Sequence, residues 1–306
     1  MSGRAAWFGR IHWTLRLFLA VGITLAIAGG GWAWWLHHRP TPVPEERALF
    51  PGIAFARLVR REPRPLAIQV VRIDLLTPGL EFLVTPADYE QRLHLKARTT
   101  TQFAREFDAQ VAVNGGFFLP WWSHTPWDYY PRVGEPVRAL GYAVSGGRAY
   151  PEAERDGEHP ALYLTRAHRA SFRRPKEPVW NAISGDCFLV QGGKPGPRPI
   201  RRRDKPEPRT ALGLARDGRT LIVMVVDGRQ PGYSEGVTLA ELAHLFVEQG
   251  AEIAINLDGG GSSALVAETT PGRIALLNCP IDNHIPWRER PVANHLGVRV
   301  SRRSSP

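Results

Sequence analysis

Two short loops in the second half of the chain combine aspartate with glycine. NLDGGGSS (256–263) places Asp258 before three glycines and two serines, and Asp227-Gly228-Arg229 pairs a second aspartate with an arginine. Consecutive glycines allow backbone N–H groups to point at an anion. The alternative is a tight glycine turn between strands, but packing does not explain an aspartate inside such a loop. We therefore predict a site at these two loops.

The segments around these loops have the pattern of a strand, a helix and a second strand. LIVMVV (221–226) is a continuous apolar run, typical of a strand buried on both faces. TLAELAHLFVEQ (238–249) has helical spacing, and Thr238 with Glu241 forms a capping box. AEIAINL (251–257) is again a strand. We predict a parallel pair with a right-handed crossover, whose carboxyl ends bring both loops to one edge of a sheet.

Other segments surround this unit. We predict two strands within 66–84, a short helix over 98–107, a strand over 109–113 that ends at Asn114-Gly115-Gly116, and a strand-like segment with a Gly-Gly turn over 142–150. The fold class predicted is α+β (mixed α/β): a mixed β-sheet core with a parallel β-α-β unit and flanking helices, in one domain over 48–300.

The N-terminal segment has the composition of a membrane helix. Residues 17–36 carry no charge and are long enough to cross a bilayer. Arginines precede them, which places 1–16 in the cytoplasm and the following domain in the periplasm or outside the cell. A cleaved signal peptide is the alternative, but the length and three tryptophans favour a signal-anchor. Residues 37–47 then form a linker, so the protein is predicted to be a single-pass protein of a bacterial-type cytoplasmic membrane.

The net charge of +10 raises the question of a polyanionic partner. The surplus falls in residues 1–40, in the stretch 198–209 and in a basic tail over 301–306, so the remaining body is neutral. Nucleic-acid binders more often interleave basic and aromatic residues along one face, and no nucleic-acid partner is expected. One alternative function is a non-catalytic envelope module that binds anionic glycans through 198–209 and the Trp/Tyr-rich segment 119–130.

The remaining reactive residue types give weaker signals. Cys187 and Cys279 are the only cysteines, and an intramolecular disulfide between them is an open possibility in an oxidising compartment. Histidine spacing does not match a zinc site, and we expect no metal and no cofactor. A serine hydrolase centred on Ser262 is a distant third hypothesis, because 260–264 matches a nucleophile elbow poorly.

Taken in order, the motifs resemble those of the phosphodiester glycosidase family. The resemblance runs from about residue 68 to residue 300 and includes VAVNGGFF (111–118), NAISGDCFLVQGG (181–193), PRTALG (208–213), VVDGRQPGYSEGVTLAELA (225–243), AINLDGGGSSALV (254–266), Asn278-Cys279-Pro280 and RPVANHLGV (290–298). The resemblance implies hydrolysis of a sugar-1-phosphodiester, within envelope or exopolysaccharide metabolism. A glycan or sugar phosphate is then the expected partner of the site.

The resemblance and the residue chemistry together assign roles. Asp258 and Asp227 are the predicted catalytic carboxylates, as nucleophile or base and as partner acid. The predicted substrate-binding residues are arginines for the phosphate, glycines and serines of the loops, and asparagines that orient the sugar or diester: Asn114, Gly115, Gly116, Arg209, Arg229, Asn256, Gly259, Gly260, Gly261, Ser262, Ser263 and Arg290. Arg209 and Arg290 have the alternative of being exposed strand ends.

Overall fold

The computed structural model describes residues 3–38, 40–90, 93–151, 159–196 and 205–301. Most of the basic stretch 198–209 and of the tail 301–306 therefore lies outside the described residues. Within them the protein is mostly β-structure, with three α-helices: α1 (Gly3–His38), α2 (Thr100–Glu106) and α3 (Leu239–Glu248).

The strands of the first half are short apart from three near the start. In chain order they are β1 (Glu45–Phe50), β2 (Ile53–Arg60), β3 (Leu66–Asp74), β4 (Leu80–Val84), β5 (Leu95–Lys96), β6 (Val111–Asn114), β7 (Phe118–Leu119), β8 (Trp122–Ser123), β9 (Tyr129–Tyr130), β10 (Pro136–Ala139), β11 (Val144–Ser145) and β12 (Arg148–Ala149). The predicted strands within 66–84 and 109–113 and the turn within 142–150 are present as β3, β4, β6 and the β11–β12 hairpin. β1 begins inside the range expected to be linker.

The strands of the second half build the centre of the molecule. They are β13 (Ala161–Thr165), β14 (Ala170–Ser171), β15 (Val179–Ser184), β16 (Cys187–Gln191), β17 (Lys194–Pro195), β18 (Arg209–Ala215), β19 (Thr220–Val226), β20 (Ala251–Asn256), β21 (Leu265–Thr270), β22 (Arg273–Leu276), β23 (Ile281–Asp282), β24 (Ile285–Pro286) and β25 (His295–Val300).

The largest sheet has eight strands in the order β1-β2-β3-β19-β18-β20-β16-β17. Every pairing between the described strands is antiparallel. The predicted parallel β-α-β pair is therefore wrong: β18 lies between β19 and β20 and pairs with both. The apolar run of β19 arises because both faces of the sheet are covered, and such burial produces the same sequence pattern in antiparallel as in parallel strands. The fold is a mostly antiparallel β fold and not a mixed α/β one.

Both faces of the eight-stranded sheet are buried by different partners. On β19, Ile222 and Met224 pack in one cluster with Phe246 of α3. The alternate residue Val223 packs in a second and larger cluster, together with side chains of two five-stranded sheets. These sheets have the orders β22-β21-β6-β25-β4 and β12-β11-β15-β13-β14. The main core therefore lies between the eight-stranded sheet and the two smaller ones.

The helices occupy outer positions. α3 begins with the predicted capping box, in which Thr238 accepts from the Glu241 N–H and Glu241 accepts from the Thr238 N–H. α2 packs through Phe103 on the outer face of the sheet that contains β6. α1 contains a 20-residue segment, Arg16–Trp35, long and apolar enough to cross a membrane and not buried against the rest of the protein. By length and composition it is compatible with a membrane anchor or a signal segment.

Candidate active site

The topology of the eight-stranded sheet collects the candidate residues at one edge. β19 and β20 end at this edge and are followed by Asp227 and Asp258, respectively. β18 and β16 run in the opposite direction, so their first residues reach the same edge. Arg209 opens β18, and Asp186 directly precedes β16. The inserted antiparallel strand thus places an arginine between the two aspartate loops.

Asp258 lies at the floor of a cleft with both carboxylate oxygens engaged. Oδ1 accepts from the Gly259 N–H at 2.9 Å, and Oδ2 accepts from the Ser262 hydroxyl at 2.6 Å. Burial raises the pKa of Asp258 to about 6, against the hydrogen bond from Ser262 and the positive charge of Arg290, which lower it. A carboxylate with a pKa near 6 is mostly ionised at neutral pH and remains able to exchange a proton, as a nucleophile or general base requires.

The glycine loop after Asp258 uses most of its own N–H groups. It forms a 3₁₀ turn over Gly260–Ser262, and the N–H groups of Ser262 and Ser263 donate within the turn to Gly259 and Gly260. The Gly260 N–H donates to the Pro208 carbonyl. Because these donors are satisfied inside the protein, the backbone of the loop shapes the cleft and leaves few of its own N–H groups for a ligand.

The cleft has a volume of about 610 Å³. Its walls combine cationic side chains, the Asp258 loop and an aromatic hairpin: Phe117, Phe118, Trp121, Ser123, His124, Thr125, Pro126, Lys205, Glu207, Arg209, Arg229, Leu239, Asn256, Asp258, Gly259, Gly260, Asn283, His284 and Arg290. All three predicted arginines and Asp258 thus face one cavity. Among the described residues, no three His, Cys, Asp or Glu side chains group closely enough to hold a metal ion.

Arg290 is held in place beside Asp258. Its Nε donates to Asp282 Oδ1 at 2.8 Å, and its Nη1 lies 3.4 Å from the Ser262 hydroxyl. The guanidinium also lies over the Trp121 ring, at 4.8 Å from the centroid. Asp282 is buried, so the pair fixes the orientation of the guanidinium. Ser262 thereby links the cation to the carboxylate.

The other two arginines are also positioned by partners. Arg229 adopts a left-handed backbone conformation, and its Nε donates to the Glu207 carboxylate. Glu207 also contacts Lys205 at 2.8 Å, and these cations lower its pKa against the opposing effect of burial. Arg209 donates to the carbonyls of Val237 and Lys205. The result is a fixed basic wall suited to a phosphate group.

Asp227 lies outside the residues that line the cleft. It is 1% exposed and accepts from Gln69 Nε2 at 3.0 Å, from Asn278 Nδ2 at 2.9 Å and from the Cys279 N–H at 3.0 Å. Burial raises its pKa to about 7, and these hydrogen bonds oppose the rise. Asn278 also accepts from the Leu265 N–H and donates to the Ser263 carbonyl. Asp227 is therefore connected to the loop of Asp258 through Asn278 and does not face the cleft.

Asn114 and the two glycines after it also belong to the scaffold. Asn114 is buried, donates to the Asp258 carbonyl at 2.8 Å and accepts from Thr210 at 2.8 Å. A Cβ on Gly115 would collide with Asn294, and one on Gly116 with the Ser184 carbonyl. Asn114, Gly115 and Gly116 thus pack against the Asp258 loop, and the next two residues, Phe117 and Phe118, line the cleft.

Two acidic residues near Asp258, Asp186 and Glu207, were not predicted from the sequence to belong to the site. Asp186 accepts from Asn256 Nδ2 at 2.8 Å, and its charge raises the pKa of Asp258. Asp186 lies within the NAISGDCF motif and Glu207 directly before PRTALG. Only the sheet topology brings Glu207 to the cleft and Asp186 next to Asn256. Cys187 and Cys279 are not joined, so the disulfide considered from the sequence is not formed.

The Trp/Tyr-rich segment forms a hairpin at the rim of the cleft. β8 pairs with β9, and Trp122 stacks on Tyr130 with ring centroids 4.6 Å apart. Trp127 at the tip is 80% exposed, whereas Trp121 lines the cleft. The segment is therefore a wall of the cleft with an exposed tip, and core packing does not account for it.

Comparisons with known proteins show which family the chain resembles. The family described as phosphodiester glycosidase matches residues 107–299. The N-acetylglucosamine-1-phosphodiester alpha-N-acetylglucosaminidase of Bos taurus is 28% identical over 197 residues, 56% of this chain and 34% of that protein. The SPbeta prophage-derived uncharacterized protein YomE of Bacillus subtilis (strain 168) is 44% identical over 91 residues, 29% of this chain and 14% of that protein. The chain thus spans about a third or less of the length of these relatives.

Solved structures show the same fold. The catalytic domain of the zebrafish N-acetylglucosamine-1-phosphodiester alpha-N-acetylglucosaminidase, auto-inhibited by its pro-peptide, superposes with a TM-score of 0.59 at 21% identity, over 87% of this chain and 86% of that one. A Synechocystis protein gives a TM-score of 0.56 at 15% identity, over 85% of this chain and 64% of that one. Because the family match covers most of the chain, the protein belongs to the phosphodiester glycosidase family.

Proposed function

We propose that the protein is a membrane-anchored, exported hydrolase that cleaves the glycosidic bond of sugar-1-phosphodiesters in envelope or exopolysaccharide glycans. The observation that carries this proposal is the position of Asp258. A half-buried carboxylate that is mostly ionised at neutral pH lies in one cleft with three arginines. This combination matches the needs of a sugar-1-phosphodiester, which carries a negative phosphate directly on its anomeric carbon.

The proposed reaction breaks the bond between the anomeric carbon and the phosphate oxygen. A phosphomonoester is a good leaving group, so less proton donation is needed than for an ordinary glycoside. The leaving phosphate takes the electron pair, and Arg209, Arg229 and Arg290 stabilise the added charge. Asp258 acts as nucleophile, or as the base that removes a proton from the attacking water, and water supplies the oxygen that ends on the sugar.

Asp227, which the sequence predicted as the second catalytic carboxylate, has a different role in this proposal. Asp227 is buried beneath the Asp258 loop, so we assign it as a positioning residue that acts through Asn278 and the chain near Ser263. Asp186 is the carboxylate whose charge reaches Asp258, and we assign it to the sugar side of the site. The phosphate contacts then belong to arginine side chains, with Ser262 as a link to Asp258.

Substrate and location complete the proposal. The names of the bovine and zebrafish relatives suggest N-acetylglucosamine as the first sugar to try. The segment Arg16–Trp35 supports an anchor, and the arginines before it favour a cytoplasmic N-terminus with the folded domain outside. A substrate in the cell envelope follows from this placement.

The test uses the full chain in detergent with an alkyl phosphodiester of N-acetylglucosamine 1-phosphate and with UDP-N-acetylglucosamine. We expect release of free sugar, and a loss of at least about 10³-fold in kcat for Asp258→Asn. Asp217→Asn is the matched control, because Asp217 caps a surface turn at the opposite end of β19. Failure to hydrolyse any phosphodiester in a wide panel of sugars would overturn the proposal. Salt-sensitive glycan binding that survives Asp258→Asn would favour the non-catalytic module instead.

A further inference from the structure

Asn256 presents a buried acceptor at the floor of the cleft. This residue ends β20, two positions before Asp258, and is 2% exposed although it lines the cleft. Its Nδ2 donates to Asp186 Oδ1 at 2.8 Å, and its carbonyl accepts from the Asp186 N–H at 3.0 Å. Within the part of the chain that the structure describes, no group donates a hydrogen bond to Asn256 Oδ1.

The orientation of this amide is fixed by its neighbour. If the Asn256 amide were rotated, Oδ1 would face the Asp186 carboxylate, and two acceptors would oppose each other. Nδ2 therefore stays with Asp186, and Oδ1 is the polar atom left for a ligand. A buried acceptor without a donor is unfavourable, so a ligand that supplies the donor gains affinity.

Because Asn256 Oδ1 is a hydrogen-bond acceptor, it can pair with the sugar half of the substrate and not with the phosphate half. The oxygens of a phosphodiester accept hydrogen bonds and have no hydrogen to donate, so the phosphate does not satisfy Asn256 Oδ1. Sugar hydroxyls and the N–H of an acetamido group are donors. The arginines line the same cleft and provide the donors that a phosphate needs.

We propose that Asn256 Oδ1 accepts a hydrogen bond from one hydroxyl or acetamido N–H of the sugar, with Asp186 as the residue that holds the amide in place. This inference rests on the proposed function and makes Asn256 a specificity-determining residue. The sugar lies toward Asn256 and Asp186, the phosphate lies toward the arginines, and the Asp258 carboxylate stands between them at the anomeric carbon. A sugar that lacks the one donor is discriminated against, because the buried acceptor then stays unpaired.

The experiment measures binding by calorimetry with the full chain in detergent. The ligands are N-acetylglucosamine 1-phosphate, its 3-deoxy, 4-deoxy and 6-deoxy forms, and 2-deoxyglucose 1-phosphate, which has no hydrogen-bond donor at C2. In the wild-type protein we expect one of these changes to weaken binding by at least about tenfold. In Asn256→Ala the same change alters affinity by less than about twofold, since the acceptor is gone. The position that shows the coupling distinguishes a hydroxyl from the acetamido N–H.

Two further variants control the result. Asn283→Ala removes another asparagine of the cleft, whose amide oxygen already accepts from Ser123, and it retains the wild-type discrimination. Asp186→Ala removes the anchor of the amide, and it reduces the discrimination while the phosphate contacts remain. Asp186→Ala also carries the test if Asn256→Ala does not fold.

The outcomes separate this inference from the proposed reaction. Equal effects of all the sugar changes, unchanged discrimination in Asn256→Ala, or no binding by any of these sugar phosphates overturns the inference. Hydrolysis of the alkyl phosphodiester without single-position discrimination overturns the inference and leaves the hydrolase standing. Discrimination at one position in the absence of any hydrolysis supports the acceptor role of Asn256 and overturns the hydrolase.

Discussion

Replacing Gly261 with alanine tests whether Arg290 can keep its position only if residue 261 has no side chain. The backbone at Gly261 does not lie in the left-handed region, so alanine adopts the same conformation without strain. A Cβ at this position would lie 2.8 Å from Arg290 Cζ and 2.7 Å from Asp282 Oδ1. Cβ atoms in proteins essentially never approach other heavy atoms within 3.0 Å, so the ion pair must shift.

The size of the effect follows from these distances. Relief of the overlap moves the guanidinium by about 1 Å, and a misplacement of this size costs about 10²-fold in activity. The pair is mostly buried, with side chains 10% and 1% exposed, so the crowding also costs about 1–3 kcal/mol of the free energy of unfolding. Gly260 is different: its φ is +62°, and alanine there strains the backbone.

The assay measures kcat/KM on the alkyl phosphodiester together with urea unfolding of the same preparations. Gly261→Ala is combined with Arg290→Ala in a double-mutant cycle. Once Arg290 is truncated, the added methyl group meets less resistance, and most of the activity loss from Gly261→Ala disappears. Wild-type activity in Gly261→Ala, or full additivity of the two changes, would refute the reasoning.

Three further predictions concern titration, burial and capping. The pKa of Asp258 is about 6 and its ionised form is the active one, so kcat/KM falls as the pH drops through about 6. Asp186→Asn lowers the midpoint of this pH–rate profile, because the substitution removes a negative charge that raises the pKa of Asp258. Burial raises the pKa of Asp227 from 3.8 to about 7, so this carboxyl group ionises first in the unfolded chain, and stability declines from about pH 4 to about pH 7. Asp227→Asn flattens this decline, as measured by urea unfolding over a range of pH. Thr238→Ala lowers the free energy of unfolding by about 1 kcal/mol, measured by urea denaturation, because it removes the N-cap of α3.

Local sequence signals predicted the elements next to the site. The Thr238–Glu241 capping box and the apolar runs on either side identified α3, β19 and β20 with nearly the observed bounds. These signals depend on contacts within a few residues or on burial of both faces. The same reasoning brought Asp258 and the three arginines forward as candidates, and the structure places all four at one cleft.

Long-range pairing was not predictable from the same signals. An apolar run shows that both faces are covered, but it does not reveal that β18 separates β19 from β20. The roles of Asp227 and Asp186 depend on this arrangement, since one carboxylate ends beneath the loop and the other beside Asn256. Likewise, three glycines suggested free N–H donors, whereas the Pro208 carbonyl and the turn itself consume most of them.

The last described strand, β25, affects when the cleft can form during folding. β25 lies between β4 and β6 and pairs with both, and Arg290 precedes it by a few residues. The five-stranded sheet that faces the main core therefore stays split until residues 295–300 are available, and pairings over such sequence separations form slowly. A ribosome-bound chain that still lacks residues 290–300 holds Asp258 without its neighbouring cation. The completed cleft thus arises only after residues 290–300 have joined the fold.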